Sequence, residues 1–97
     1  MAGAPLPDLI LYSRADCSLC TEARELVTAL LADRARQGLP TPTLVDRDIE
    51  ANEDWHRAFF TTIPVVELGG RRIETFVSLS ALRRLLSDVL DAQPTSA

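Results

Sequence analysis

The sequence predicts an α/β domain in which three helices flank a four-stranded mixed sheet, in the order β-α-β-α-β-β-α, and three features carry that prediction. A short apolar run, Leu9-Ile10-Leu11-Tyr12, stops at polar residues and leads into a long stretch with apolar residues every three or four positions. Two β-rich runs later flank Gly69-Gly70, and a second helical apolar stripe follows them. Right-handed crossovers set the first two strands side by side in parallel, and the hairpin adds an antiparallel pair.

Each element has its own signature. Asp8 to Ser13 is rich enough in Ile, Leu and Tyr for a buried strand, and Ser13-Arg14-Ala15-Asp16 ends it. From Ser18 to about Arg36, Leu19, Ala23, Leu26, Val27, Leu30 and Leu31 form one face of an amphipathic helix, with Glu22, Arg24, Glu25 and Asp33 on the other. Gly38 and Pro40 stop it. Thr43 to Ile49 is the second strand. Asn52 caps a short helix with Glu53 and Asp54 at its positive end and Trp55 and Phe59 on its buried face. Ile63 to Leu68 and Arg71 to Phe76 are strands around a two-residue glycine turn. Ser78 caps a last helix whose stripe is Leu79, Leu82, Leu85, Leu86, Val89 and Leu90.

With 97 residues, 46% of them hydrophobic and 25% charged, the chain has the composition of one globular domain. The expected domain is 1–97, with an ordered core over about 8–91 and loose tails at both ends. No apolar run approaches the ~18 residues that cross a bilayer, and no basic segment leads into an apolar one at the start. A cytoplasmic protein with no membrane contact is expected. Ten arginines, no lysine and fourteen acids give a net charge of −4, the wrong sign for a phosphate-backbone binder. Nucleic acid is therefore not an expected partner. Arg71-Arg72 and Arg83-Arg84 read as solvated faces, and His56 as a surface residue without catalytic duty.

The two cysteines are Cys17 and Cys20. A disulfide this local restricts the unfolded chain little, so a structural staple is a poor explanation. Structural zinc takes four ligands, and two cysteines with a distant His56 do not supply them within one chain. Redox chemistry, a metal site shared between chains, and coincidence remain. Cys17 falls at the start of the first helix, where unpaired N–H groups and the macrodipole stabilise a thiolate and take a cysteine pKa from about 8.5 into the range ~3.5–7.5. Arg14 would add to this effect by facing the sulfur, and Asp16 would oppose it. Cys20, one turn on, lies on the same side of the helix and within reach of Cys17.

The run from Leu11 to Cys20 resembles the active-site entrance of glutaredoxins and glutaredoxin-like proteins of the thioredoxin fold, and Thr62-Ile63-Pro64-Val65-Val66 resembles their second motif. The resemblance spans about Leu9 to Leu90. It implies a thioredoxin-like fold with a cis proline at Pro64 opposite the cysteines, and an Ile63 backbone that pairs with a bound thiol substrate. Two departures stand out. Ser18-Leu19 replaces the Pro-Tyr between the cysteines of glutathione-dependent members. After the last strand, Phe76-Val77-Ser78-Leu79-Ser80 replaces a Gly-Gly-x-Asp-Asp-like segment that holds glutathione.

The resemblance implies a thiol-disulfide oxidoreductase with Cys17 as nucleophile and Cys20 as resolving thiol. Arg14, Ile63, Pro64 and Ser78 are its substrate-binding candidates, and no resident metal or cofactor is expected. Expected partners are a disulfide-containing protein or small thiol as substrate and a reductase or glutathione as electron donor, with glutathione the weaker expectation. A monomer is expected. Two competing readings use the same residues differently: an iron-sulfur or zinc site between two chains, and a thioredoxin-fold adaptor whose cysteines are incidental.

Overall fold

Period-two alternation along β1 (Leu9–Ser13) determines which helix lies on which face of the sheet. In the computed structural model, which describes residues 6–91, Leu9 and Leu11 face one layer and Ile10 and Tyr12 the other. The expected tails fall at 1–5 and 92–97, outside the described residues, and at the two described positions Leu6 and Pro7. β1 is central in a sheet of order β2-β1-β3-β4. It pairs in parallel with β2 (Leu44–Asp48), from Leu9 opposite Leu44 to Ser13 opposite Asp48. On its other side β3 (Val65–Leu68) runs antiparallel and continues into β4 (Arg71–Glu74).

The first layer is filled by α1 (Ser18–Arg36) and α3 (Leu79–Leu86), whose Ala23, Val27, Leu30, Leu82, Leu85 and Leu86 pack on Leu9, Leu11, Val66 and Leu68. Each fully buried leucine contributes about 1.5–3 kcal/mol of transfer free energy. On the opposite face, Phe59 of α2 (Glu53–Phe59) meets Tyr12 with ring centroids 4.3 Å apart, and Ile49 and Val65 complete a smaller cluster. Trp55, expected in the core, is half-buried against that cluster, where the Arg47 guanidinium lies over its ring at 5.0 Å. Among the described residues no helix is long and apolar enough to cross a membrane.

The first two strands each start one residue later than the sequence predicts, at Leu9 and Leu44, and four further boundaries differ for local reasons. The second strand ends at Asp48 instead of Ile49, because the Asp48 carboxylate accepts the Glu50 N–H at 2.9 Å and starts a 3-10 turn, Ile49–Ala51, that buries Ile49. Both hairpin strands lose two residues at their open end. Ile63-Pro64 carries a cis peptide, and Thr75, at φ 63, donates its N–H to the Thr62 and Pro64 carbonyls and turns the chain out of the sheet before Phe76. The hairpin turn itself is as expected, with Gly69 and Gly70 at φ 57 and 81. The last helix gives way after Leu86 to a π-helical turn, Ser87–Asp91, leaving Val89 and Leu90 partly buried. Two residues of the predicted stripes are exposed: Leu19 lies one turn before Ala23, the first α1 residue of the core, and Leu79 is in the first turn of α3.

Candidate functional site

A cysteine performs the capping duty at the start of α1. Asp16 takes a left-handed φ of 58, a conformation that aspartate tolerates, and this reverses the chain so that Cys17 enters the helix in extended conformation. The Cys17 Sγ accepts the Cys20 N–H at 3.2 Å, the bond a serine or aspartate oxygen ordinarily takes at a helix start. An N–H that bonds the sulfur bonds a thiolate more strongly, so the local geometry favours the charged form. Cys17 and Cys20 are joined as a disulfide with Cα atoms 5.2 Å apart. Cys17 is partly exposed, whereas Cys20 is 1% exposed beneath it. An incoming disulfide therefore meets Cys17 first.

The surface beside Cys17 is a shallow groove of about 340 Å³ walled by Arg14, Asp16, Leu19, Phe60 and Ile63. Arg14 is thus brought to the site, but its guanidinium makes an ion pair with Glu50 at 3.9 Å. Glu50 also lies 3.7 Å from His56 Nε2, a pairing that operates only when the histidine is protonated. Ile63 reaches the groove with its N–H already donated to the Phe59 carbonyl at 3.0 Å. Its own carbonyl accepts no hydrogen bond among the described residues. Pro64 is buried, and its carbonyl accepts the Thr75 N–H at 2.8 Å.

Ser78 lies in a second groove of about 270 Å³, with Leu19, Glu22, Thr75 and Phe76. The Ser78 hydroxyl caps α3 by accepting the Ala81 N–H at 3.1 Å, so its side chain is already used by the fold. Leu19 is the wall common to both grooves. A third and larger depression, of about 480 Å³, extends past Phe60 toward Asn52 and Arg57, away from the cysteines. Among the described residues no group of three or more histidine, cysteine or acidic side chains is arranged to hold a metal ion.

Three apolar residues are exposed at this surface, Leu19, Phe60 and Phe76, at 42%, 53% and 80%; the sequence predicts Leu19 between the cysteines but on a buried helix face, and does not predict Phe60 and Phe76 at the site. For Phe60 a signal existed, since adjacent helical positions point about 100° apart and Phe59 already takes the buried face. For Phe76 the alternation gave part of the signal, since it shares a strand face with Arg72 and Glu74 and not with Ile73, but only the Thr75 turn takes it out of the sheet.

Comparison with known proteins agrees with this architecture. No curated protein matches the chain. Among solved structures, protein XcR50 from X. campestris is similar at 28% identity over 89% of this chain and 99% of that one, with a TM-score of 0.64. Protein Ne2328 from Nitrosomonas europaea is similar at 17% identity, covering 88% of this chain and 96% of that one, with a TM-score of 0.59. A variant of the thioredoxin-like protein BC3987 is 14% identical over 81% of this chain and 99% of that one, with a TM-score of 0.59. The last two likenesses bear on the fold alone. The family model of the glutaredoxin-like domain (DUF836) matches residues 8–87, and the chain therefore belongs to that family and has a thioredoxin-like fold.

Proposed function

We propose that the protein is a dithiol oxidoreductase that reduces disulfides, preferring those of polypeptides to glutathione mixed disulfides. The observation that carries this reading is the pairing of a partly exposed, helix-capping Cys17 with a buried Cys20 at disulfide distance, within a glutaredoxin-like domain.

The reaction begins from the reduced form. The Cys17 thiolate attacks one sulfur of the substrate disulfide, and that S–S bond breaks as the Cys17–substrate bond forms. The other substrate sulfur leaves as a thiolate and takes a proton from solvent. Cys20, losing its proton to solvent or to the departing thiolate, then attacks the Cys17 Sγ and expels the second substrate sulfur. Two electrons have moved from the dithiol to the substrate, leaving the disulfide form seen here. An external thiol or a reductase returns them. The protein acts as a cytoplasmic monomer in this proposal, with no resident metal or cofactor.

The glutathione preference rests on what surrounds the sulfur. A tripeptide with two carboxylates needs cationic or N–H donors at both ends. Arg14 is paired with Glu50, the Ser78 hydroxyl is used as a cap, and the acid Glu22 stands in the groove beside Ser78. Reduction assays run side by side with glutathione/glutathione reductase and with thioredoxin/thioredoxin reductase test the reading. Turnover of a protein disulfide through either donor supports it. A protein that never cycles between dithiol and disulfide would overturn it, and visible charge-transfer absorption after anaerobic purification would overturn it in favour of a cluster shared between chains.

A further inference from the structure

We infer that the redox centre takes polypeptide disulfides whose reacting cysteine is flanked by an apolar and a basic side chain, with Phe76 as the docking residue for the apolar one; this rests on the dithiol reading above.

Phe76 is 80% exposed, yet the turn that exposes it is firmly built. The Thr75 N–H is held by the Thr62 and Pro64 carbonyls at 2.9 and 2.8 Å, and its hydroxyl bonds the Thr62 carbonyl at 3.1 Å. These bonds keep Thr75 at φ 63 and tie the base of Phe76 to the loop that carries Pro64. An aromatic ring displayed from a fixed backbone loses little entropy on docking. The groove of Cys17 and the groove of Phe76 adjoin at Leu19, which walls both, so a polypeptide crossing that side chain reaches from the sulfur to the ring.

Charge selects the second feature of the occupant. Asp16 stands in the Cys17 groove and Glu22 in the Phe76 groove, and neither has an ion-pair partner among the described residues. The one cation of the two grooves, Arg14, already faces Glu50. The open charge along the path is negative, which repels an anionic thiol and attracts a basic side chain. An apolar and basic polypeptide segment is the occupant that satisfies both walls.

The test compares rate constants of the reduced protein on mixed disulfides of 2-nitro-5-thiobenzoate with short peptides, read by release of the coloured thiol. One peptide has leucine and arginine flanking its cysteine, a second leucine and glutamate, a third glycine and arginine; bis(2-hydroxyethyl) disulfide serves as the small probe, its reduction read by loss of free thiols from the protein. The leucine-arginine peptide should react about ten-fold faster than either counterpart, and salt should shrink the arginine-glutamate difference. Phe76→Ser should abolish the leucine-glycine difference, and Glu22→Gln should narrow the arginine-glutamate one. Ratios taken within one protein cancel any change in Cys17 reactivity or folded fraction. Equal rates on all three peptides, or a leucine preference that survives Phe76→Ser, would overturn the docking proposal. A reduced protein that consumes none of the probes, bis(2-hydroxyethyl) disulfide included, instead overturns the dithiol reading itself.

Discussion

Arg34 and Asp91, 57 positions apart, meet in a two-pronged pair with nitrogen-oxygen distances of 3.0 and 2.6 Å. The Arg34 side chain is nearly buried, and its Nε also donates to the Pro40 carbonyl at 2.9 Å. One residue thereby fastens the last turn of α1, the loop that follows it and the turn after α3. The arginine had no recognisable partner in the sequence, where its neighbours Asp33 and Arg36 look like an ordinary solvated helix end.

This pair predicts a pH-dependent component of stability. Its hydrogen bond to Arg34 holds the Asp91 carboxyl below the ordinary carboxylate value, with the Arg34 charge acting in the same direction and burial opposing. A depressed carboxylate stabilises the fold above its unfolded-state pKa, and that contribution disappears as pH falls through the folded-state value. Asp91→Asn should cost about 1–2 kcal/mol at neutral pH, a figure kept low because the Asp91 side chain is 29% exposed. It should also flatten the acid limb of the thermal midpoint below about pH 4, which calorimetry across that range would detect. A variant whose midpoint tracks the native protein down to pH 2 would deny Asp91 that role.

The second prediction concerns the two thiols in the reduced protein. Cys17 is partly exposed and caps a helix, while Cys20 is buried, so iodoacetamide should modify Cys17 first and with the pH profile of the lower pKa. Asp16→Asn keeps a residue that accepts a left-handed φ and removes the carboxylate next to Cys17. Its Cys17 profile should move to lower pH. Peptide mapping after partial alkylation checks both statements, and modification of Cys20 ahead of Cys17 would reverse the assigned roles.

The third prediction is an asymmetry between the cysteines. Cys17→Ser should abolish disulfide reduction, because the accessible nucleophile is gone. Cys20→Ser leaves the first attack intact and removes the resolving sulfur, so mixed disulfides with substrate should accumulate and be visible by mass spectrometry. Equal loss in both variants, with no adduct on Cys17, contradicts a nucleophile and resolver.

The motif and its setting were legible in the sequence for different reasons. Strong periodicity placed α1 at Ser18–Arg36, and two glycines placed the hairpin turn, because both signals are local. Cys17 followed from them, being the residue immediately before the helix. What lay beyond reading was set by contacts between distant segments. Thr75 leaves the sheet because its N–H finds the Thr62 and Pro64 carbonyls, and this one turn converts Phe76 from a strand residue into a surface ring. Arg14 stood three residues from Cys17 in sequence, and only the fold brings Glu50 to it.

The last prediction sets glutathione against a protein disulfide as partner. The glutaredoxins that the run from Leu11 to Cys20 resembles hold glutathione through an acidic segment that this chain lacks, and a charge-assisted contact of that kind is worth about 1.5–3 kcal/mol. In this chain Leu19 replaces the aromatic residue before the resolving cysteine, and Ser78, already engaged with the Ala81 N–H, stands where an acidic pair would meet the glutathione ammonium group. Arg14, the cation nearest the sulfur in sequence, shares its charge with Glu50. The N–H groups at the start of α3 still offer a carboxylate some stabilisation, so binding is weakened and not abolished. Losing one contact should lower the rate of deglutathionylation about ten- to a hundred-fold relative to an authentic glutaredoxin. Glu50→Gln frees Arg14 and should recover part of that deficit, whereas Arg14→Gln should change it little. Deglutathionylation of a small mixed disulfide at the rate of a glutaredoxin under the same conditions would remove the basis for this preference, while the Cys17 and Cys20 exchange would stand.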